Sequence, residues 1–298
     1  MASLPRLSPL VSVLIGAGCI SFSAVWVKLT TVPPTVSAFY RVFFGFFFLL
    51  AICLARREYH ALRPRQLLWG LLCGLFFALD LYCWHASIQF VGPGLATILA
   101  NFQVFILTGV GLLFLGEHIH LRFLLAVPIA LGGLYLLVGT SWQSLGTDYR
   151  WGIVYGLLTA LCYSGFLLIL RKLQQEAPSF SFFFNLMLVS GDSALFLGLW
   201  LGATGSSFVI PDRINWLALL CLGLFSQTMG WALIAGGMPR LRASLTGLVL
   251  LVQPLLSFVW DVVFFDRPTT LLNWVGVTGT LLALYLGMLG KAEPQSEK

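Results

Sequence analysis

Several residues that could do chemistry lie inside long apolar stretches. Residues 74–108 are predicted to form two membrane helices joined by a tight turn at Gly92-Pro93-Gly94. Within this otherwise apolar stretch lie Asp80, Trp84, His85, Asn101 and Gln103. Placing a carboxylate in a bilayer costs about 2.5–3.5 kcal/mol on insertion scales, and such residues usually face a bundle interior or a water-filled path. Asp80 is therefore the first candidate for a functional site.

The pairing of Asp80 with Trp84, one helical turn further on, suits an organic cation or an amino group. A carboxylate attracts the positive charge, and the aromatic face adds cation–π attraction. Asp80 could instead carry a proton, or form only a hydrogen bond between helices. His85 points about 100° away from Trp84 around the helix and could titrate near neutral pH or bond to a neighbouring backbone.

A weaker copy of the same pattern follows later in the chain, over residues 223–257. Asp80-x-x-x-Trp84 returns as Gln227-x-x-x-Trp231, and Thr97 returns as Thr246. The sequence therefore predicts a duplicated helical bundle with a polar centre. We expect a midplane substrate site formed by residues of both copies: Ser23, Trp26, Asp80, Trp84, His85, Asn101, Tyr163, Gln227, Trp231 and Gln253.

Two further charged residues lie within predicted spans. Arg41 lies about two turns into the second span, where it could hold a substrate carboxylate or pair with an acid. Asp192 lies in the middle of the seventh span and could be functional, a partner for Arg41, or a polar packing contact. Together with Asp80, these residues are the candidates for coupling or gating.

The composition indicates that lipid is the natural solvent of this chain. Of its 298 residues, 59% are hydrophobic and only 9% are charged, whereas soluble domains have about 25% charged residues. The net charge of +6 is no signal for nucleic acid, because the basic residues lie between apolar segments, where membrane orientation explains them. Six cysteines lie within apolar segments without a metal-binding spacing and are interpreted as packing residues.

Apolar segments near the ~20 residues that a helix needs to cross the hydrocarbon core predict an all-α polytopic membrane protein. Ten spans are predicted, at 9–29, 35–55, 66–90, 94–116, 121–139, 150–170, 179–203, 214–237, 241–265 and 270–289. The predicted units are a first repeat at 1–140, a linker at 141–149, a second repeat at 150–290 and a polar tail at 291–298. Since each repeat has five spans, the two must insert in opposite directions, as in many secondary transporters.

The chain resembles the EamA module of the drug/metabolite transporter superfamily. The resemblance rests on Val91-Gly92-x-x-Leu95-Ala96-Thr97, on Phe114-Leu115-Gly116-Glu117 and on Gly132-Gly133, with Gln253-Pro254 and Phe265-Asp266 at matching places in the second copy. It implies export, or less often uptake, of small metabolites such as amino acids across a bacterial inner membrane. It also implies a central cavity lined by spans one, three, four, six, eight and nine. The chain departs from the pattern at Asp266, where Glu is usual, and at Leu250, opposite Asn101.

Other classes of function have less support in the sequence. There is no phosphate-binding loop, nucleophile–His–acid set or cluster of metal ligands, so no enzyme activity and no cofactor are predicted. The expected partners are a small-molecule substrate and membrane lipid, without nucleic acid, and a monomer is plausible. The alternatives are a membrane-embedded enzyme acting on lipid and a non-transporting structural membrane protein. The enzyme would need catalytic groups near the interface, and the structural protein would not need an inverted repeat.

The distribution of basic residues predicts the orientation of the chain. Most of the 17 Lys and Arg residues fall in segments that share one side of the membrane when both termini are cytoplasmic. Residues 56–65 and 171–176 should then be cytoplasmic, and 204–213 external. In intact cells, an impermeant thiol reagent should label a single cysteine at position 206 and spare one at position 60. Labelling at 60 but not at 206 would invert the topology.

Overall fold

The computed structural model describes residues 8–58, 64–117, 120–138, 149–176, 181–266 and 269–288. These residues form helices joined by short connections, with no strand among them. The α-helices are α1 Pro9–Ser21, α2 Ser23–Leu29, α3 Pro34–Ala55, α4 Pro64–Ala100, α5 Gln103–Phe114, α6 Leu121–Val138, α7 Tyr149–Glu176, α8 Phe182–Ala203, α9 Arg213–Cys221, α10 Trp231–Gly237, α11 Ala243–Leu250, α12 Val252–Phe265 and α13 Leu271–Met288. The predicted tail and, apart from Tyr149, the predicted linker lie outside the described residues.

The all-helical membrane class predicted from the sequence is confirmed. Within the described residues, seven helical segments are long and apolar enough to cross a membrane, and three shorter apolar helices accompany them, Gln103–Phe114, Leu121–Leu136 and Leu271–Leu286. Large apolar side chains such as Phe114 and Leu271 are 78% and 82% exposed on the outside of the bundle. Such a surface needs lipid around it. A count of ten spans stays a prediction.

Five of the helices described in the first half each pack against a helical segment of the second half, and the partners run antiparallel. In α3 and α8, Phe39 lies against Gly198 and Phe46 against Gly191. In α6 and α13, Asn273 Nδ2 donates to the Leu136 carbonyl at 3.0 Å, while Thr280 further along α13 lies against Gly133. In both pairs, residue numbers increase along one helix while those of the contacting residues decrease along its partner, so the helices are antiparallel.

The other three pairs follow the same rule. Ser87 Oγ of α4 donates to the Gly152 carbonyl of α7 at 2.8 Å, while Cys73 lies at Phe166. Gly16 of α1 meets Gly230, just before α10, while Pro9 meets Gly237. Gln103 of α5 donates to the Gly247 carbonyl of α11 at 3.2 Å, while Glu117, just after α5, accepts from Ala243 N at the start of α11. Antiparallel pairing between halves is the geometry that an inverted repeat requires.

The turn predicted between the third and fourth spans lies inside one long helix, α4. Helix α4 is assigned without interruption from Pro64 to Ala100, so it includes the Gly-Pro-Gly segment, and the break comes at Asn101-Phe102. The chain nevertheless reverses within α4. A Cβ on Gly156 would lie 3.1 Å from Ser87 Oγ and 2.7 Å from Leu99 Cβ. In a straight helix these two residues would be about 18 Å apart. Glycines and a proline that lacks a backbone N–H allow so sharp a bend.

Three further spans predicted as single helices are interrupted. The first is divided at Phe22 and the ninth at Leu251. In the eighth, a π-helical segment from Leu222 to Gly230 joins α9 to α10. Such i→i+5 segments are rare and are frequently found at functional sites. Gln227 lies within this one.

Close packing of α6 on α13 generates a stability prediction. A Cβ on Gly133 would lie 2.7 Å from the Gly276 carbonyl and 2.9 Å from Thr280 N, atoms of the partner backbone that cannot rotate away. We expect Gly133→Ala to destabilise the protein by about 1–3 kcal/mol, the range for overpacking. The measurement is thermal unfolding in detergent.

The neighbouring Gly132 provides the control, because nothing lies within 4 Å of a Cβ placed there. Gly132→Ala should leave the unfolding temperature unchanged or raise it, since alanine favours a helix over glycine by roughly 0.5–1 kcal/mol. Equal effects of the two substitutions would contradict the packing argument.

Candidate functional site

The centre of the bundle contains a hydrogen-bonded bridge between three helical elements. Arg41 Nε of α3 donates to Gln227 Oε1 at 3.2 Å, and Gln227 Nε2 donates to Ser190 Oγ of α8 at 3.0 Å. Gln227 is 1% exposed. A Cβ on Gly45 would lie 2.8 Å from Gln227 Cβ, so a glycine is needed at this point of α3. The π-helical segment therefore fixes the Gln227 amide between Arg41 and Ser190.

Asp80 approaches the same centre from α4. Its carboxylate is 8% exposed and interacts electrostatically with Arg41. Among the described residues, Arg41 and Asp80 make no direct ion pair within 4.0 Å. An acid and a base thus share one buried centre without neutralising each other directly. Such an arrangement can accept a ligand that has both a positive and a negative group.

An aromatic wall closes one side of this centre. The Trp231 ring meets Phe166 edge-on at 4.8 Å and Phe77 at 5.7 Å, measured between ring centroids. The Arg41 guanidinium lies over Phe77, 5.9 Å from the ring centroid. Tyr163 stands at 6.3 Å from Trp231 and interacts with Asp80 and with Gln253 of α12. The wall shields the charged groups from lipid and strengthens electrostatic interactions inside.

Unpartnered polar atoms surround the centre. His85 Nδ1, Trp231 Nε1 and Gln253 Nε2 are buried, and none of these atoms has a hydrogen-bond partner within the described chain. His85 interacts electrostatically with Arg41, which places it near the same group. Buried polar atoms are normally satisfied by protein or by water. These free atoms are therefore available to hydrate or bind a ligand.

The structure brings most of the predicted site residues together and separates others. The Asn101 side-chain amide donates to the Thr97 carbonyl at 2.7 Å, so it caps the C-terminal end of α4. Trp84 is half-buried and meets His85 at 5.0 Å. Ser23 and Trp26 lie in α2, where Trp26 stacks at 6.2 Å on Phe225 in a separate apolar cluster with Leu219 and Leu222. Buried Ser23 Oγ and Trp26 Nε1 also lack partners within the described residues.

Asp192 occupies a different environment from the one that pairing with Arg41 would need. It packs on α4, where a Cβ on Gly74 would lie 2.5 Å from Asp192 Cβ and one on Gly70 would lie 3.5 Å from Asp192 Oδ2. Its buried Oδ2 has no hydrogen-bond partner within the described residues. The neighbours of Arg41 are Gln227 and Asp80 instead, so the geometry favours a packing contact for Asp192.

Sequence reasoning missed several residues that build the site. Ser190 lies two residues before Asp192 in the same Ser-Gly-Asp-Ser segment, but only the charged residue drew attention. Phe77 and Phe166 were indistinguishable from other apolar residues. The Gly45 requirement was also invisible, because a single glycine in an apolar helix predicts no particular contact.

The fold and the site define a polytopic helical bundle with a buried polar centre, built from two antiparallel halves. Comparison with known proteins specifies the class. The profile of the EamA-like transporter family matches residues 7–139 and 150–289, which covers both halves. The chain belongs to the EamA-like transporter family, and it is a multi-pass membrane protein.

Individual relatives agree with this assignment. A protein of Archaeoglobus fulgidus named "Uncharacterized transporter" is 28% identical over 251 residues, 82% of this chain and 84% of its own. The "Pseudopaline exporter CntI" of Pseudomonas aeruginosa is 29% identical over 198 residues, 66% of each chain. The "Uncharacterized inner membrane transporter YhbE" of Escherichia coli is 25% identical over 270 residues, 85% of this chain and 80% of its own.

A solved structure supports the fold. A protein crystal structure that is 18% identical in sequence superposes with a TM-score of 0.81, over 96% of this chain and 99% of its own. At this identity the likeness concerns the fold alone. It shows that the helical arrangement described above occurs in an experimentally determined protein.

The depth of Trp231 leads to a prediction that separates packing from binding. Trp231 is 2% exposed and surrounded by aromatic rings, so Trp231→Ala should cost about 3–5 kcal/mol of folding free energy. We expect lower transport together with a lower unfolding temperature. Trp84 is only half-buried, so Trp84→Ala should lower transport with little change in unfolding temperature. Normal transport in both variants would count against the site.

Proposed function

We propose that this chain is a secondary transporter that moves a small amino-acid-like or other small organic solute across the cytoplasmic membrane, in the direction of export. The observation that carries the proposal is the buried centre where Arg41 and Asp80 meet without a direct ion pair. A zwitterion would place its carboxylate at Arg41 and its ammonium group at Asp80. Trp231, Phe77 and Tyr163 would then form an apolar wall for the side chain of the ligand.

The arrangement of the repeats supports alternating access as the mechanism. Arg41 and Asp80 come from the first repeat, while Gln227, Tyr163 and Trp231 come from the second. Rocking one repeat against the other would expose this shared centre to each side of the membrane in turn. Seams rich in glycine, as between α3 and α8, allow the two repeats to approach closely.

The direction of transport and the cellular membrane are inferred from relatives. One relative is named as an exporter and another as an inner membrane transporter. Membership of a transporter family favours transport over enzymatic chemistry. The polar groups also meet in the middle of the bundle instead of forming a catalytic cluster at its edge. We therefore propose that the chain resides in a bacterial inner membrane with both termini cytoplasmic.

Asp80→Asn tests the proposal most simply. The amide can neither balance an ammonium group nor carry a proton, so we expect net transport to be abolished while expression and unfolding temperature stay near those of the wild type. The second repeat has neutral Gln227 at the matching position, so the fold accepts an amide at this depth. The measurement is uptake into proteoliposomes from a panel of labelled amino acids and related metabolites.

The matched control is Asp192→Asn, because Asp192 is also a carboxylate within a helix of the bundle but contacts Gly70 and Gly74 instead of Arg41. It should retain most of the wild-type transport. Wild-type rates and pH dependence in Asp80→Asn would return Asp80 to a structural role. Equal losses of transport in both variants would show that transport depends on any carboxylate within the bundle, and would contradict a specific role for the centre at Arg41 and Asp80.

A further inference from the structure

Glu117 forms a buried contact between the repeats, away from the central site. Its carboxylate is 6% exposed and accepts from Ala243 N at 2.6 Å, from Ser244 N at 3.2 Å and from Ser244 Oγ at 2.6 Å. Ala243 and Ser244 open α11, so these backbone N–H groups have no partner inside their own helix. A carboxylate there also complements the positive end of the helix dipole. The first repeat thus caps a helix of the second.

The local sequence is shaped to deliver this carboxylate. Gly116 has a left-handed backbone, with φ of +63°, which turns the chain after α5 so that Glu117 points back into the bundle. A Cβ on Gly111 would lie 2.9 Å from the Glu117 carboxyl carbon, so the glycine makes room for it. We call the contact of Glu117 with Ala243 and Ser244 the Glu117 latch.

A buried arginine, Arg171, lies next to the Glu117 latch. Arg171 of α7 is 8% exposed, interacts electrostatically with Glu117, and has an Nη1 atom without a hydrogen-bond partner within the described residues. It lines a cavity of about 10 Å³ together with Ala243 and Thr246, room for about one water molecule. Three helices, α5, α7 and α11, therefore meet at one charged contact. Arg171, Lys172 and Arg240 mark this side of the bundle, called here the basic end.

The matching position of the second repeat is not engaged in the same way. Asp266 follows Thr246 by 20 residues, just as Glu117 follows Thr97 by 20. Asp266 itself has a left-handed backbone, at φ of +49°, whereas in the first repeat the left-handed residue is Gly116, one position before Glu117. However, Asp266 is exposed, whereas Glu117 is buried. The carboxylate at this position is therefore bonded across the repeats at the basic end, and exposed at the opposite end.

We propose that Glu117 and Asp266 are reciprocal gating residues that fasten opposite ends of the bundle in the two halves of the transport cycle. The inference rests on the proposed alternating-access function. In the conformation described here the Glu117 latch closes the basic end. When that end opens, α5 separates from α11, the Glu117 latch breaks, and Asp266 approaches the bend within α4, where Gly94 and Leu95 match Ala243 and Ser244 in sequence.

Distances measured by pulsed electron paramagnetic resonance test this proposal without any substrate, so failure to identify the substrate does not affect the result. On a cysteine-free background, one pair of spin labels at the exposed positions Leu115 and Arg240 would report the distance across the basic end. A second pair, at Phe90 and Phe264, would report the distance across the opposite end. Glu117→Gln should raise the population of the long distance at the basic end about tenfold, the effect of losing one hydrogen bond to a charged group. The population of the short distance at the other end should rise with it.

Three companion variants distinguish a gate from a simple helix cap. Asp266→Asn lies at an exposed position that should tolerate substitution, and it should shift both distances in the opposite sense. Glu117→Asp keeps the charge and should restore part of the wild-type distribution. Ser8→Ala removes a side-chain cap that accepts from Val11 N at 3.3 Å within α1, and it should change neither distance. A change at the basic end alone in Glu117→Gln, or no shift in Asp266→Asn, would overturn the proposal.

Discussion

A charged arginine placed among apolar helices is the constraint on which the rest of this structure depends. Leaving a guanidinium unpaired in a low-dielectric interior costs several kcal/mol, a large share of the roughly 5–15 kcal/mol stability of a typical protein. The chain satisfies Arg41 with the Gln227 amide, the nearby Asp80 carboxylate and the face of Phe77. Gly45 and the π-helical segment then follow as requirements of that solution, because they let the Gln227 side chain reach its place between α3 and α8.

The two repeats have used one ancestral framework for different purposes. Asp80 and Gln227 occupy matching positions in the sequence, and both approach Arg41 in space. Their partners one turn further on differ as well, since Trp231 is buried in the core while Trp84 is half-buried. Because Asp80 is charged and Gln227 is neutral, the centre has a carboxylate on the side of the first repeat only. A symmetric bundle would offer no such distinction between the two ends of a ligand.

The sequence predicted the helical class, most helix ends and the polar centre. Hydropathy finds where helices cross lipid, because the membrane imposes length and composition on every span. It says little about backbone hydrogen-bond register, so the π-helical segment and the interruptions at Phe22 and Leu251 could not be predicted. The same reason explains the segment near Pro93, where the chain reverses as predicted but the backbone stays helical. The depth of individual side chains, such as Trp231 or Asp192, depends on rotation about helix axes that no single span determines.

The central claim is that Arg41 and Asp80 together receive the two opposite charges of one ligand. The most direct measurement is counterflow in proteoliposomes of a transported amino acid against two half-ligands, its amide without the carboxylate charge and its deaminated acid without the ammonium group. The account predicts that the unmodified amino acid competes at least about tenfold more strongly than either half-ligand, since each loses one charged hydrogen bond. If one half-ligand competes as strongly as the whole molecule, only one of the two charged groups binds substrate, and the account is wrong.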